Sequence, residues 1–207
     1  MYIPAAFAMT DPVKIAEVIS AHSFGIMISK DGGSLFASHL PFLYKPQPGP
    51  HGMLTSHLAK ANRHWELFND EEALVIFNGP HAYISPTWYA TEVAVPTWNY
   101  ITVHVYGKPR LLKSAEELKT VLEETVAKHE AGMPEPWATS RLPDELQGKL
   151  HQAILGFEIE ITHIEGKFKL GQNRSKEDRQ KMLAALRDAK DSDSQALAQF
   201  MEREFKD

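Results

Sequence analysis

Residues 79–106 read GPHAYISPTWYATEVAVPTWNYITVHVY, and the way this stretch folds decides the architecture. Its last part alternates strictly: Ile101, Val103 and Val105 fall on one side, Tyr100, Thr102, His104 and Tyr106 on the other. A period of two is that of a strand with one face in a core and the other lining an interface or a pocket. Upstream, Tyr83, Trp88, Tyr89 and Trp98 stand outside any helical spacing, among Pro80, Pro86 and Pro96. Such rings either pack as core or dimer interface or offer a flat surface to a planar ligand, and composition leaves both readings open.

Around that strand, helices punctuate strands. In residues 10–22, Asp11 can cap, Pro12 suits the first helical position, and Ile15, Val18 and Ile19 form an apolar stripe. Residues 23–44 are two apolar runs about Asp31-Gly32-Gly33, a hairpin signal because glycine tolerates the positive φ of tight turns. A proline-rich loop leads to a short strand at MLTSHL (53–58) and a helix over 59–70. EALVIFNG (72–79) reads as a strand buried on both faces, with HAYISP (81–86) as a short separate partner. Ser114 and Glu117 form a capping box before the stripe Leu118, Val121, Leu122 and Val126. A further helix (142–154), an alternating strand (156–166), the segment KFKLGQN (167–173) and a charged, Ala-rich tail from Ser175 complete the chain. Some six strands without regular strand–helix alternation predict a mainly β, α+β fold: an antiparallel barrel with peripheral helices. The expected division is a body over 1–174 and a helical tail over 175–207.

The 207 residues, 43% hydrophobic, can bury a substantial core unaided. The chain has no cysteine, which excludes disulfides, thiolate metal sites and cysteine nucleophiles and fits a cytoplasmic location. No segment resembles a signal peptide or a membrane span. A net charge of −5 argues against non-specific nucleic-acid binding. No dinucleotide fingerprint, phosphate loop, serine elbow or zinc-protease motif is present. Of the ten histidines, His57 and His64 lie closest within one segment but lack a nearby carboxylate at ligand spacing, so no metal site is expected. In TSHLAKANRHW, Thr55, Ser56, His57 and Lys60 cluster where a strand meets the next element. One reading is a strand running into an ordinary helix, with Lys60 and Arg63 solvated; the other is an anion site at the strand-to-helix junction, where free backbone N–H groups and the helix dipole favour a phosphate. An anion site beside the aromatic stretch would suit a ligand with a phosphate at one end and a flat ring at the other.

The stretches MYIPAAF (1–7), ASHLPFLY (37–44), LTSHLAKANRHW (54–65), VIFNGPHAYISPTWY (75–89), VPTWNYITVHVYG (95–107) and GFEIEITHIEGKFKLGQNRS (156–175) resemble, in order, the PaiB family of FMN-binding negative transcriptional regulators. That family is similar to the pyridoxamine-phosphate-oxidase-like split barrels. The resemblance implies an antiparallel FMN-binding split β-barrel, forming a homodimer with cofactor sites at the interface. It places Thr55, Ser56, His57, Lys60 and Asn62 near the flavin phosphate and ribityl chain, with His39, Leu40 and Pro41 beside the ring. It places Trp98, Asn99, Lys169, Gln172 and Asn173 across the dimer from the phosphate. Gly171 departs from the family pattern, which has serine there, and the phosphate-binding pattern of the better-studied oxidases is absent.

Three functions stay open. The first is a flavin-dependent redox or redox-sensing protein linked to negative transcriptional regulation, an FMN-dependent oxidoreductase included; no general base is identifiable, and catalytic residues are unassigned. The second is a regulator acting through protein partners or regulatory DNA without flavin chemistry. The third, a haem-binding split barrel, rests on the spare histidines.

Overall fold

The structure, a computed structural model, describes residues 1–205. Its strands are β1 (Ala8–Met9), β2 (Phe24–Asp31), β3 (Ser34–Pro41), β4 (Leu43–Lys45), β5 (Met53–Ala59), β6 (Ala73–Ile84), β7 (Thr97–Leu111) and β8 (Ile154–Lys169). The helices among the described residues are α1 (Pro12–Ala21), α2 (Ala115–Glu130), α3 (Asp144–Gln152), α4 (Lys176–Asp188) and α5 (Ser192–Glu204), with short 3-10 turns between. The eight strands form a sheet in the order β3-β2-β6-β7-β8-β5-β4, with β1 paired to β8. The assigned registers are antiparallel. This is the antiparallel, helix-flanked architecture that the alternating segments predict.

Local signals act as expected at several points. Asp11 Oδ1 accepts from Val13 N at 2.9 Å at the start of α1. Asp31 pairs with Ser34 across Gly32-Gly33, and Gly32 takes φ +61 in the turn. Ser114 and Glu117 close a full capping box on α2.

Elsewhere tertiary context changes the reading. Residues 59–70 contain a 3-10 turn, Arg63–Leu67, instead of an α-helix. Asn62 Oδ1 accepts from His64 N at 3.1 Å, and Trp65 Nε1 donates to the Lys60 carbonyl at 3.0 Å, which holds the segment as a turn. The runs 72–79 and 81–86 are one strand, β6. Its pairing with β2 covers Leu74 to Ile76, so Pro80, which has no N–H to give, lies outside that ladder. Instead of being buried on both faces, β6 buries Ala73, Val75 and Phe77 while Leu74 and Ile76 are half-buried. Likewise 156–166 and the start of KFKLGQN merge into β8.

The chain divides into two compact units. One comprises residues 16–77 and 104–164. At its centre Phe42 meets Phe77 and Phe157 edge-on, with ring centroids 5.7 and 6.2 Å away, and Phe68 lies 5.1 Å from Phe157. Met27, Leu54, Val75 and Ile159 are fully buried in the same unit. The same unit buries a polar network: His64, fully enclosed, has Nδ1 2.9 Å from Ser38 Oγ and Nε2 3.0 Å from Ser29 Oγ, and Asn62 Nδ2 donates to Ser38 Oγ at 2.9 Å. This network ties the β2–β3 hairpin to the 63–67 turn with its polar atoms satisfied.

The second unit comprises 1–15, 78–103 and the residues from 165 onward. Ile84, Ile101, Val103, Phe168 and Leu170 are buried in it, and so are Met182 and Leu186 of α4 and Leu197, Ala198 and Met201 of α5. The Ala-rich C-terminal segment is thus a helical hairpin with a buried apolar side.

Phe157→Ala should lower the unfolding free energy by about 3–5 kcal/mol, because the surrounding rings relax only partly into the cavity; urea unfolding measures it, and a loss below about 1 kcal/mol would mean that the aromatic centre is not tightly packed. Burial pushes the pKa of His57 down, and burial and then the Arg63 charge do so for His64, both from an ordinary 6.5. The unfolded chain therefore takes up protons first as pH falls. Stability should be full above about pH 6.5 and decline below it as pH drops through the folded-state values. Urea midpoints that stay level or rise between neutral pH and about pH 5 would contradict this.

Candidate functional site

The first group of candidate residues lies in the unit built from 16–77 and 104–164. On β5 the period of two separates Ser56 from Thr55 and His57. Ser56 turns to one side and donates from Oγ to the Pro41 carbonyl at 2.6 Å, which joins the end of β3 to β5. Thr55 and His57 turn to the other, and there Thr55 Oγ1 and His57 Nδ1 are buried with no hydrogen-bond partner. Two unanswered polar atoms two residues apart on one strand face are costly unless a ligand completes them. With its pKa lowered, His57 is neutral at pH 7 and can carry a proton on Nδ1. Lys60 is exposed one residue beyond the strand. Asn62 is committed to the 63–67 turn and to Ser38. His39 is exposed on β3, its ring 6.3 Å from Phe24, and Leu40 is buried beside half-buried Pro41.

The second group lies in the other unit. Trp98 is 54% exposed, and its neighbour Asn99 is only 1% exposed, with Nδ2 donating to Met182 Sδ at 3.3 Å. Lys169 Nζ donates to Thr97 Oγ1 at 2.5 Å and to the Trp98 carbonyl at 2.6 Å, so it fixes the start of β7. Burial, followed by the charges of Lys167 and Arg174, holds its pKa below the ordinary lysine range. Gln172 accepts from Leu170 N at 2.8 Å and donates to the Phe168 carbonyl at 2.5 Å, closing the turn after β8, and Asn173 is exposed. Gly171 has φ +86, and a Cβ there would come 2.6 Å from Met182 Cε. A serine there would be strained by the positive φ, whereas Met182 Cε, the end of a flexible side chain, could shift, so it is the backbone conformation that favours glycine.

Sequence reasoning missed other residues here. A cleft of about 350 Å³ is lined by Asn78, Gly79, His81, Trp98, Tyr100 and Ile101. His81 and Tyr83 bring their rings within 6.1 and 6.0 Å of Trp98. Dividing β6 at Gly79-Pro80 hid that His81 and Tyr83 share an outward face while Ala82 and Ile84 point inward. Lys167 is 6% exposed, donates to the Tyr2 carbonyl at 3.0 Å, and lies 5.5 and 5.1 Å from the Tyr2 and Tyr100 ring centroids. The aromatic stretch thus has two fates: Tyr89 is buried under the Arg174 guanidinium, 4.4 Å from its ring, while Trp98 presents an open face. Among the described residues no group of three or more His, Asp or Glu side chains is placed to hold a metal, and no helix is long and apolar enough to cross a membrane.

Residues 1–163 match the family described as "Putative FMN-binding domain". The chain is 36% identical over 210 residues to Protease synthase and sporulation protein PAI 2 of Bacillus subtilis (strain 168), covering 100% of this chain and 99% of that protein. It is 30% identical over 230 residues to an uncharacterized protein of Emericella nidulans, with 90% of each covered. Among solved structures, the flavocytochrome Anf3 from Azotobacter vinelandii superposes with a TM-score of 0.65 at 15% identity, over 83% of this chain and 74% of that one. The FAD and haem binding protein from Mycobacterium smegmatis gives 0.61 at 13%, over 83% and 78%. These two likenesses show the fold alone. The family match over residues 1–163 and the full-length relative identify the chain as a member of the FMN-binding split-barrel family to which the PaiB-type proteins belong.

Proposed function

We propose that Thr55, Ser56, His57 and Lys60 form the phosphate half of the FMN site, and that Trp98, Lys169 and the turn at Gln172 and Asn173 form the ring half. The observation that carries this reading is the pair of unpartnered donors on β5, Thr55 Oγ1 and His57 Nδ1. A phosphate dianion accepts from both a hydroxyl and a neutral imidazole N–H, and the exposed Lys60 adds a charge at the strand end. Ser56 contributes differently, since its hydroxyl serves the Pro41 carbonyl and fixes the strand beside His39 to Pro41. Bound FMN would supply one- and two-electron redox chemistry. Towards it Lys169 offers a fixed cation, with two of its protons held by Thr97 and Trp98, suited to negative charge on a flavin ring. Trp98 offers a flat apolar face.

The two halves come, in this reading, from different subunits of a homodimer. A largely apolar sheet face supports it: Phe24 and Leu35 are 67% and 73% exposed, and Ile26, Ile28, Ala37, Leu74 and Ile76 share their side of the β3-β2-β6 sheet, with the exposed Lys30 and His39 among them. A patch of this kind on a cysteine-free protein is the sort that a second copy covers. We place the protein in the cytoplasm, as a redox or redox-sensing flavoprotein linked to negative transcriptional regulation. The regulatory part rests on the PaiB resemblance alone.

His57→Ala should weaken FMN by roughly ten- to a hundredfold, the worth of a charge-assisted contact of about 1.5–3 kcal/mol. Riboflavin, which has no phosphate, should be little affected. Fluorescence titration of both ligands decides, and equal losses would remove the phosphate from β5. Shared sites give a second expectation. If His57→Ala and Lys169→Ala each abolish binding as homodimers, a mixed dimer collects both defects in one site and leaves the other intact. Random exchange then restores roughly a quarter of all sites. Differently tagged chains verify the mixed dimers, and no recovery in them would mean that each site draws on one subunit only.

A further inference from the structure

Helix α4 lies beyond the residues matched to the family, yet it touches the segments next to the proposed ring half at three places. Met182, with no exposed surface, accepts from Asn99 Nδ2 through its sulfur. Its Cε occupies the space a side chain at Gly171 would need. One turn earlier, the buried Asp178 carboxylate accepts from Ala90 N at 2.8 Å, Thr91 N at 3.1 Å and Thr91 Oγ1 at 2.8 Å. Asn99 follows the carbonyl that holds Lys169, and Gly171 lies two residues after Lys169 itself. Met182 therefore packs against both ends of the Lys169–Trp98 connection, while Asp178 fixes the loop that leads into β7.

We propose that Met182 is a positioning residue: packed against the Asn99 amide and the turn at Gly171, it keeps Thr97 and the Trp98 carbonyl where they hold the Lys169 ammonium; its role towards a flavin rests on the ring-half reading above. A thioether suits this task because it is long, unbranched and fills irregular space, while its sulfur is a weak acceptor for the otherwise buried Asn99 amide. Asp178 is the companion anchor, with its lone pairs answered by two backbone N–H groups and a hydroxyl. Two consequences separate space-filling from hydrogen bonding. Shortening residue 182 should free the Lys169 ammonium. Exchanging sulfur for carbon at constant volume should not.

The test is the Lys169 titration in flavin-free protein, followed by NMR of chains labelled with 13C at lysine Cε and assigned by Lys169→Arg. In Met182→Ala the Lys169 titration should move up towards the ordinary lysine range, while Met182→norleucine, which exchanges sulfur for carbon at the same length, should keep the wild-type value. Should Met182→Ala fold poorly by circular dichroism, Met182→Val is the shorter truncation read in the same way. A Lys169 titration unchanged in a folded Ala or Val variant would overturn the proposal, and so would an equal shift in the norleucine variant. With FMN and riboflavin as probes, the truncation should weaken both by about tenfold, unlike a β5 substitution. Wild-type protein that binds neither flavin would refute the ring-half reading, and the Lys169 titration would still decide the role of Met182.

Discussion

The hydroxyl of Ser56 donating to the Pro41 carbonyl is a small interaction on which the phosphate half of the proposed FMN site depends. It fixes the side of β5 on which each residue falls. Strand geometry then leaves no freedom: with Ser56 turned to one face, Thr55 and His57 must turn to the other. Burial there strips both of water, lowers the pKa of His57 and leaves two polar atoms unanswered. A slip of one residue would exchange the two faces and turn Thr55 and His57 to the side Ser56 now occupies.

The ring half is organised by a different balance. Lys167, Lys169 and Arg174 crowd one region in which aromatic rings and carbonyls do most of the pairing: Lys167 between Tyr2 and Tyr100, Arg174 over Tyr89, Lys169 on the Trp98 carbonyl. Cations held in this way remain receptive to an anionic ligand, because carbonyl dipoles and ring faces do not neutralise them as a carboxylate would. Asp178, the nearby buried carboxylate of α4, spends its lone pairs on Ala90 and Thr91. The acidic group thus shapes the loop, and the basic groups are left to rings and carbonyls.

Much of this was legible in the chain. The β2–β3 hairpin follows from Gly32-Gly33, α2 from Ser114 and Glu117, and β7 from uninterrupted alternation, because each is a local rule that tertiary packing did not override. The strand placing Thr55, Ser56 and His57 was legible for the same reason. Residues 59–70 were not: their composition suits a helix, and what prevents one is the set of bonds made by Asn62, His64 and Trp65, two of which join distant Ser38 while two turn back on the segment. Nor could composition show that Asp178, in a charged stretch, would be buried, or that Met182 would take the space beside Gly171. Such facts belong to pairs of residues far apart in sequence.

The central claim is that this chain holds FMN, and the visible absorbance of freshly purified protein before and after adding FMN, followed through gel filtration, tests it most directly. The account expects flavin bands that elute with the protein, either as purified or after FMN is supplied. A colourless protein from which added FMN separates completely would contradict it.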